Sequence, residues 1–460
     1  MIDTKLSNEK MKNDVLNFNA VVNPLENKAI TKIILSLIFV SEAFILYLVL
    51  FEKYIFLLVG ILLVGLALIT LRPKLGLYLS TAAAYSGIAS SVLQGLFLPL
   101  ILLTTFAWIL NLLSSKDEQL VSVPQNKLLI LWGAIMLSSS LYAVDIETSM
   151  NSLYGFAKYL FFYFLIINLV NSWNSIRQFI WIATATGFLM MLYGIYAYIF
   201  SDTVHDFRLI SFVEDPNSLA IKLVPLVAFS YILIKTEHRL ILKVLSFLFL
   251  ISMATAILFT LSRGGLLALF TVLFLIGLKE GQKRKSFVII LGLIVLAILI
   301  VPWDLFLPRI KSISKLTSDV SIIQRLKILK GGVAMFFDHP LFGVGVGNFL
   351  TYSKIYTNTL IHRVAHNSYL EVAAETGILG ITFFLALLLM TLKQLRTCWK
   401  YLESINSKYH YYPLGIMIGM IGFMVHSLFL SEQYNVSLFI VLALSAVINN
   451  LLSSSQRLNM

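Results

Sequence analysis

Runs of about 20 apolar residues recur along this chain from residue 30 to residue 453, and few folds can accommodate them. A hydrocarbon layer of about 30 Å is crossed by roughly 20 residues rising 1.5 Å each, so every run has the length of a membrane span. They lie near 30–50, 54–71, 75–94, 96–113, 127–143, 154–171, 176–200, 217–235, 240–261, 264–278, 286–302, 372–396, 413–430 and 436–453. The run 75–94 is the weakest, being rich in Ala, Ser and Gly. All are continuously apolar rather than alternating, and lipid offers the backbone no other partner, so they must be helices and not barrel strands. The predicted fold is all-α, a polytopic membrane bundle of roughly 12 to 14 helices. Hydrophobic residues make up 58% of the chain and charged ones 13%, which excludes an ordinary soluble globule.

Basic residues fall in alternate connections. Arg72 and Lys74, Lys116 and Lys127, Lys235 and Arg239, Lys279 through Lys285, and Lys393 through Lys408 mark the predicted cytoplasmic side. The connections near 51–53, 144–153, 201–216, 303–371 and 431–435 then face outward, and both termini lie inside. Four domains are expected: a cytoplasmic tail over 1–29, an N-terminal bundle over 30–302, an extracytoplasmic loop over 303–371 and C-terminal helices over 372–460. The tail carries Lys5, Lys10, Lys12 and Lys28 without a small-residue cleavage site, so the first helix is expected to be retained. The net charge of +12 largely reflects the cytoplasmic bias, which argues against nucleic acid as a partner. The single cysteine, Cys398, can build neither a disulfide framework nor a cysteine metal site within one chain.

The connection 303–371 is the one long extramembrane segment. Between Ser321 and Phe337, apolar Ile322, Leu326, Leu329, Val333 and Phe336 recur at helical spacing among Arg325, Lys327 and Lys330, which predicts an amphipathic helix near the headgroups. His339-Pro340 ends it. Gly343-Val344-Gly345-Val346-Gly347-Asn348 lacks the βαβ context of a nucleotide site and reads as a turn that lets backbone approach a ligand or another helix. Ser368 and Glu371 have the spacing of a capping box for the helix that re-enters the membrane. Glu375, about two turns along that helix, is a carboxylate entering the apolar layer and needs a partner, for which Arg263 and Arg325 are candidates.

Together these residues carry a resemblance: Ser262-Arg263-Gly264 at a helix junction; Arg325 before Pro340-Leu341-Phe342-Gly343; His366-Asn367-Ser368-Tyr369-Leu370-Glu371; and Glu375-Thr376-Gly377 with Gly380. The set resembles the O-antigen ligase and polymerase family of multi-spanning envelope glycosyltransferases, over roughly residues 200–430 and including Arg208 and Asp215-Pro216-Asn217. The first 150 residues match only as a hydropathy pattern. The resemblance implies transfer of a glycan from an undecaprenyl-pyrophosphate carrier to an acceptor hydroxyl on the outer face of the bacterial cytoplasmic membrane. It also implies a flippase and a chain-length regulator as partners, and neither metal nor cofactor.

A lipid pyrophosphate leaving group needs cations, and guanidinium provides bidentate hydrogen bonds, so Arg263 and Arg325 are assigned to it. The acceptor hydroxyl needs a base, a role that suits histidine and contributes typically ~10²–10⁴-fold. His366 is assigned that role, with His362 as its rival. Arg208, Glu375 and Asn367 are further substrate-binding candidates. Asp206, Glu214 and Asp215 come nearest to an acidic ligand cluster. Each assignment has a plain competitor: Arg263 as a snorkelling helix-end residue, Arg325 as a headgroup contact, and His426 as a buried hydrogen-bonding residue. Three classes follow: a repeat-unit polymerase, which low-GC residue usage favours, a ligase of the finished glycan, and a transporter of lipid-linked intermediates or a small anion.

Overall fold

The computed structural model describes residues 54–85, 94–114, 120–200, 215–280, 320–357 and 364–458. The expected spans 30–50 and 286–302 lie outside the described residues, as do Asp206, Arg208, Glu214 and His362. The chain divides into two compact units, residues 1–71 and 72–460. The first contributes one described helix, α1 (Tyr54–Leu71), which is apolar throughout.

In the second unit the described helices are α2 (Pro73–Tyr85), α3 (Gln94–Ser114), α4 (Pro124–Ser140), α5 (Ile146–Leu169), α6 (Trp173–Phe200), α7 (Pro216–Thr236), α8 (Leu240–Phe259), α9 (Arg263–Glu280), α10 (Val320–Asp338), α11 (Phe349–Thr357), α12 (Ser368–Ser404), α13 (Tyr411–His426) and α14 (Val436–Leu458). Among the described residues there is no strand, and seven helices are long and apolar enough to cross a membrane. The all-α polytopic bundle expected from the apolar runs is therefore the observed architecture. Helix starts carry their own chemistry: Asp145 caps α5 by accepting the Thr148 N–H at 2.9 Å, and Asp215 caps α7, which opens with Pro216.

Two helices form the centre. The apolar window of α7 is 78% buried and that of α14 is 72% buried, against 22% for α3 and 28% for α8, whose exposed leucines and phenylalanines are left for lipid. Lipid tails are as apolar as leucine, so helices in this setting associate through close packing of small residues. Gly415, Gly419 and Gly422 of α13 do this, lying against Ile232, Pro225 and Val224 of α7.

The decisive irregularity is in α12. Gly377 has φ +66° and ψ −164°, so the helix is broken one turn before its long apolar part. The glycine-rich turn after α10 docks into the break. Val344 N–H donates to the Ala374 carbonyl at 2.9 Å and Gly345 N–H to the Glu375 carbonyl at 3.1 Å, while Ile378 N–H donates to the Pro340 carbonyl at 2.7 Å. Ser139, at the end of α4, gives the Glu375 carbonyl a second donor at 2.6 Å. The turn thus brings backbone against another helix, as its composition suggested.

The amphipathic helix forms, with a different buried face. Ile328, Gly331, Gly332 and Met335 are buried, and Ile328 and Met335 pack with Val344, Phe349, Ala365 and Ala374. Leu326 and Val333, expected on the apolar face, are exposed at 52% and 45%. The paired glycines explain the shift, because they let α10 press onto Phe349 and Leu370, whereas leucine spacing alone points one position away.

A methyl group at Gly377 would sit 2.3 Å from the Leu341 carbonyl oxygen, on a backbone that L-residues rarely adopt. Gly377→Ala should therefore cost roughly 2–4 kcal/mol. Gly155→Ala in α5, where nothing lies within 4 Å, should be neutral or slightly stabilising. Thermal unfolding of both variants in detergent checks the contrast.

Candidate active site at one end of the bundle

The α8–α9 junction is tight. Leu261 adopts φ +52°, and the Ser262 hydroxyl accepts the Gly265 N–H at 3.2 Å, capping α9 so that Arg263 is its first residue. Arg263 is exposed, whereas Gly264 and Gly265 are buried. A Cβ at Gly264 would meet Phe429 at 2.8 Å and His426 at 3.3 Å, and one at Gly265 would meet Ala220 at 2.7 Å. The two glycines let the start of α9 pack against the end of α13 and the start of α7. His426 is fully buried there, its Nε2 lying 3.5 Å from the Ser262 hydroxyl.

His366 lies in the short turn that enters α12. Its φ of +50° is left-handed, an uncommon conformation for a side-chain-bearing residue. The residues on either side hold it so. Ala365 N–H donates to Glu371 Oε2 at 3.1 Å, Asn367 Oδ1 accepts the Leu370 N–H at 3.0 Å, and Ser368 N–H donates to the Ser427 carbonyl at 2.8 Å. Here the expected capping box is corrected. Asn367 is the cap, the Ser368 hydroxyl donates to the Leu430 carbonyl at 2.7 Å, and Glu371 reaches back past the cap to Ala365. The neighbouring loop, by drawing on both Ser368 and Glu371, leaves the capping position to Asn367.

That loop, 427–435, joins the parts. Glu371 is buried and also accepts hydrogen bonds from the Ser431 hydroxyl and from Gln433 Nε2, the latter at 3.0 Å. Glu432 N–H donates to the Ser368 hydroxyl at 2.9 Å, and Glu432 Oε1 accepts from Ser218 at 2.9 Å. Ser218 is also 2.7 Å from Asp215 Oδ2, so one hydroxyl proton serves two carboxylates. The starts of α7, α9 and α12 are thereby gathered at the end of α13. Tyr434 is held well above the usual tyrosine range, first by burial and then by Glu375 and Glu371, and so stays protonated.

Glu375 is buried, with Oε1 accepting the Phe349 N–H at 3.2 Å. The arginine partner expected for it is replaced by that backbone donor, since the glycine turn brings the start of α11 against it. Asn348 fastens the same turn to α5: its Oδ1 accepts the Asp145 N–H at 2.8 Å, and its Nδ2 donates to the Asp145 carbonyl at 3.0 Å and the Ser149 hydroxyl at 2.9 Å. Arg325 is exposed on α10, which packs on the start of α12 where Gly332 meets Leu370. Arg208 lies outside the described residues. Ser431, Glu432, Gln433 and Asn348 were not singled out from sequence. The polar run Ser431-Glu432-Gln433-Tyr434-Asn435 between two apolar spans was the available signal.

Residues 247–385 match the model of the O-antigen ligase family. No curated protein matches the chain at a significant level. The matched stretch contains Arg263, Arg325, His366, Asn367 and Glu375, and stops short of the 427–435 loop. It bears out the family resemblance carried by those motifs. With its membrane-capable helices, the chain reads as a multi-pass membrane protein that carries, over residues 247–385, a segment similar to the O-antigen ligase family.

Truncating Glu371 to Ala would leave three donors without this acceptor, the buried Ala365 N–H and Gln433 amide and the half-buried Ser431 hydroxyl. Glu371→Ala should cost at least about 2 kcal/mol and loosen the His366 turn, seen as faster amide exchange at residues 365–370. Acidification offers a second check, at Asp215. Burial raises its carboxyl, but Ser218 and Asn217 bring it below the ordinary aspartate value. A carboxyl lowered on folding stabilises fully above its unfolded pKa and loses that contribution as pH falls through the folded one. Stability should therefore decline with acid below the aspartate range, and Asp215→Asn should flatten the decline in thermal melts taken across that range.

Proposed function

We propose that this protein transfers a glycan from an undecaprenyl-pyrophosphate carrier to an acceptor hydroxyl on the outer face of the bacterial cytoplasmic membrane, with both termini cytoplasmic, and that it does so as a repeat-unit polymerase. One observation carries the proposal: within the family-matched segment, a histidine held in a left-handed turn by a buried carboxylate is anchored to the same loop as the arginine-bearing start of α9.

His366 takes the proton of the acceptor hydroxyl as its oxygen attacks the anomeric carbon. The bond from that carbon to the pyrophosphate oxygen breaks on the opposite face, inverting the configuration without a covalent enzyme intermediate. Negative charge then collects on the lipid pyrophosphate. Arg263 meets it at a helix start, where the backbone dipole also favours an anion, and Arg325 approaches from α10. Arg208 contributes from the preceding loop. Glu375 and Asn367 act on substrate through the shape they give the turn. No metal is required, and a flippase and a chain-length regulator supply and meter the substrate.

The buried carboxylates favour enzyme over transporter, since the polar groups gather at one end and the break in α12 lies near its start rather than at its middle. Ligation of a finished glycan shares the same groups and is the alternative outcome of the test.

The test is a strain whose chromosomal copy carries His366→Gly, with the protein level followed. Glycine accepts the left-handed backbone, so folding should be retained while transfer is lost. Accumulation of single repeat units on the lipid is expected. Long lipid-linked chains would instead indicate a ligase, and an unchanged glycan profile at normal protein level would remove His366 as the base. In purified protein, Arg263→Ala should reduce release of lipid pyrophosphate more than Arg208→Ala, and a chelator should leave release unaffected. Loss of activity to the chelator with recovery on adding a divalent ion would refute the metal-free mechanism.

A further inference from the structure

One polar side chain of the interior takes no part in the transfer described above. His426 is the last residue of α13, and it is fully buried. A ring so placed touches neither the acceptor nor solvent, so it is no rival to His366 as the base. Burying an imidazole where a leucine or phenylalanine would pack is costly unless its nitrogens are used. Nδ1 meets no hydrogen-bonding group among the described residues. Nε2 meets the Ser262 hydroxyl at 3.5 Å, the long end of hydrogen-bond reach. That contact is the polar use the fold makes of this ring.

Ser262 is buried and directly precedes Arg263. Its hydroxyl oxygen accepts the Gly265 N–H at 3.2 Å and its carbonyl accepts the Leu266 N–H at 2.8 Å, so it holds the first turn of α9 twice. A serine hydroxyl that accepts from backbone still has one proton to give, and Nε2 is within reach of it. The backbone bonds of this turn lie within the α8–α9 hairpin, which bends through Leu261 at φ +52°. A left-handed leucine is strained, and such a turn persists only where its surroundings hold it. His426 holds it from another helix. Its Cδ2 also lies 3.3 Å from where a Cβ on Gly264 would stand, so the ring covers the residue that follows Arg263.

The same end of α13 is bonded to the turn that carries His366. The Ser427 carbonyl accepts the Ser368 N–H at 2.8 Å, and the Met424 carbonyl accepts the Tyr369 hydroxyl at 3.0 Å. His426 stands between Met424 and Ser427 in the chain. The last turn of α13 therefore grips the arginine turn by a side chain and the histidine turn by its backbone.

We propose that His426 is a positioning residue: through Ser262 it holds the start of α9 so that Arg263 meets the donor's pyrophosphate in register with His366. The proposal rests on the glycan-transfer function above, and it adds a residue on which affinity for the donor depends. Arg263 has a long stem, and a guanidinium makes two parallel bonds to an anion only when its backbone is fixed. Loosening the hairpin would cost donor binding without removing the arginine.

The test measures binding of undecaprenyl pyrophosphate to the full-length protein in zwitterionic nanodiscs by microscale thermophoresis, with thermal melting to confirm that each variant is folded. His426→Phe keeps a packed ring and removes both nitrogens, and it should weaken binding about tenfold with little change in melting temperature. His426→Gln, which retains a hydrogen-bonding group at similar reach, should bind within about threefold of wild type. Adding His426→Phe to Ser262→Ala should weaken binding no further than Ser262→Ala alone, since the effect passes through that hydroxyl. His426→Leu takes the place of the phenylalanine variant if that one does not fold. A folded phenylalanine or leucine variant that binds as wild type does would overturn the positioning role and leave the transfer function standing. A glutamine variant that binds no better than the phenylalanine one would overturn it equally, because packing alone would then explain the loss. A wild type that does not bind undecaprenyl pyrophosphate would overturn the donor assignment itself, and the positioning role with it.

Discussion

Backbone satisfaction at the break in α12 is the constraint on which this end of the molecule depends. A helix interrupted in an apolar setting frees carbonyls that lipid cannot hydrogen-bond, and each must be met by protein. Here the carbonyls of Ala374 and Glu375 are met by the N–H groups of Val344 and Gly345 and by the Ser139 hydroxyl. To deliver those groups, the turn must lie flush on the helix, which only glycine permits at Gly343, where a Cβ would fall 2.3 Å from the Glu375 carbonyl carbon. Once docked, the turn carries Asn348 into α5 and Phe349 onto Glu375, so α4, α5, α10, α11 and α12 share one rigid joint. The polar groups that look wasteful in a membrane chain serve to close this joint.

The second joint is made by side chains. The loop after α13 supplies carbonyls, hydroxyls and an amide to the start of α12, and a carboxylate to Ser218 at the start of α7. Glu371 is central because a single carboxylate takes three neutral donors from two segments far apart in sequence. Hydrogen bonds to a charged acceptor are stronger than neutral ones, and a buried carboxylate with all its bonds made costs far less than an unpaired one. The left-handed His366 sits between these bonds, so its strain is borne by a network rather than by local sequence preference.

Much of this was legible in the sequence, for reasons that differ by level. Span positions follow from length and apolarity, and the seven membrane-capable helices among the described residues fall on predicted runs. The family motifs mark Arg263, Arg325 and His366, and all three lie within the matched segment. What failed is long-range. The capping residue of α12 shifted from Ser368 to Asn367 because residues 427–432, some sixty positions away, claim Ser368 and Glu371. The buried face of α10 shifted because Gly331 and Gly332, silent in a hydrophobic pattern, allow the closest approach. Glu375 was expected to seek a guanidinium and found a backbone N–H instead. In each case local spacing named the residue and a distant segment decided its partner.

The distribution of charge follows from these joints. Glu371 is buried with both oxygens bonded to neutral donors and Glu375 is buried with one oxygen so bonded, whereas Arg263 and Arg325 are exposed. At the same end Asp215 and Glu432 share the Ser218 hydroxyl, so acids there too are held by a neutral donor. On the proposed reading the buried carboxylate of Glu371 has a second use, because it holds the turn that carries the histidine assigned to start the transfer. Structural demands on the acidic residues and the proposed chemistry thus point the same way, which is why a membrane chain with so few charges can keep Glu371 and Glu375 one turn apart on α12.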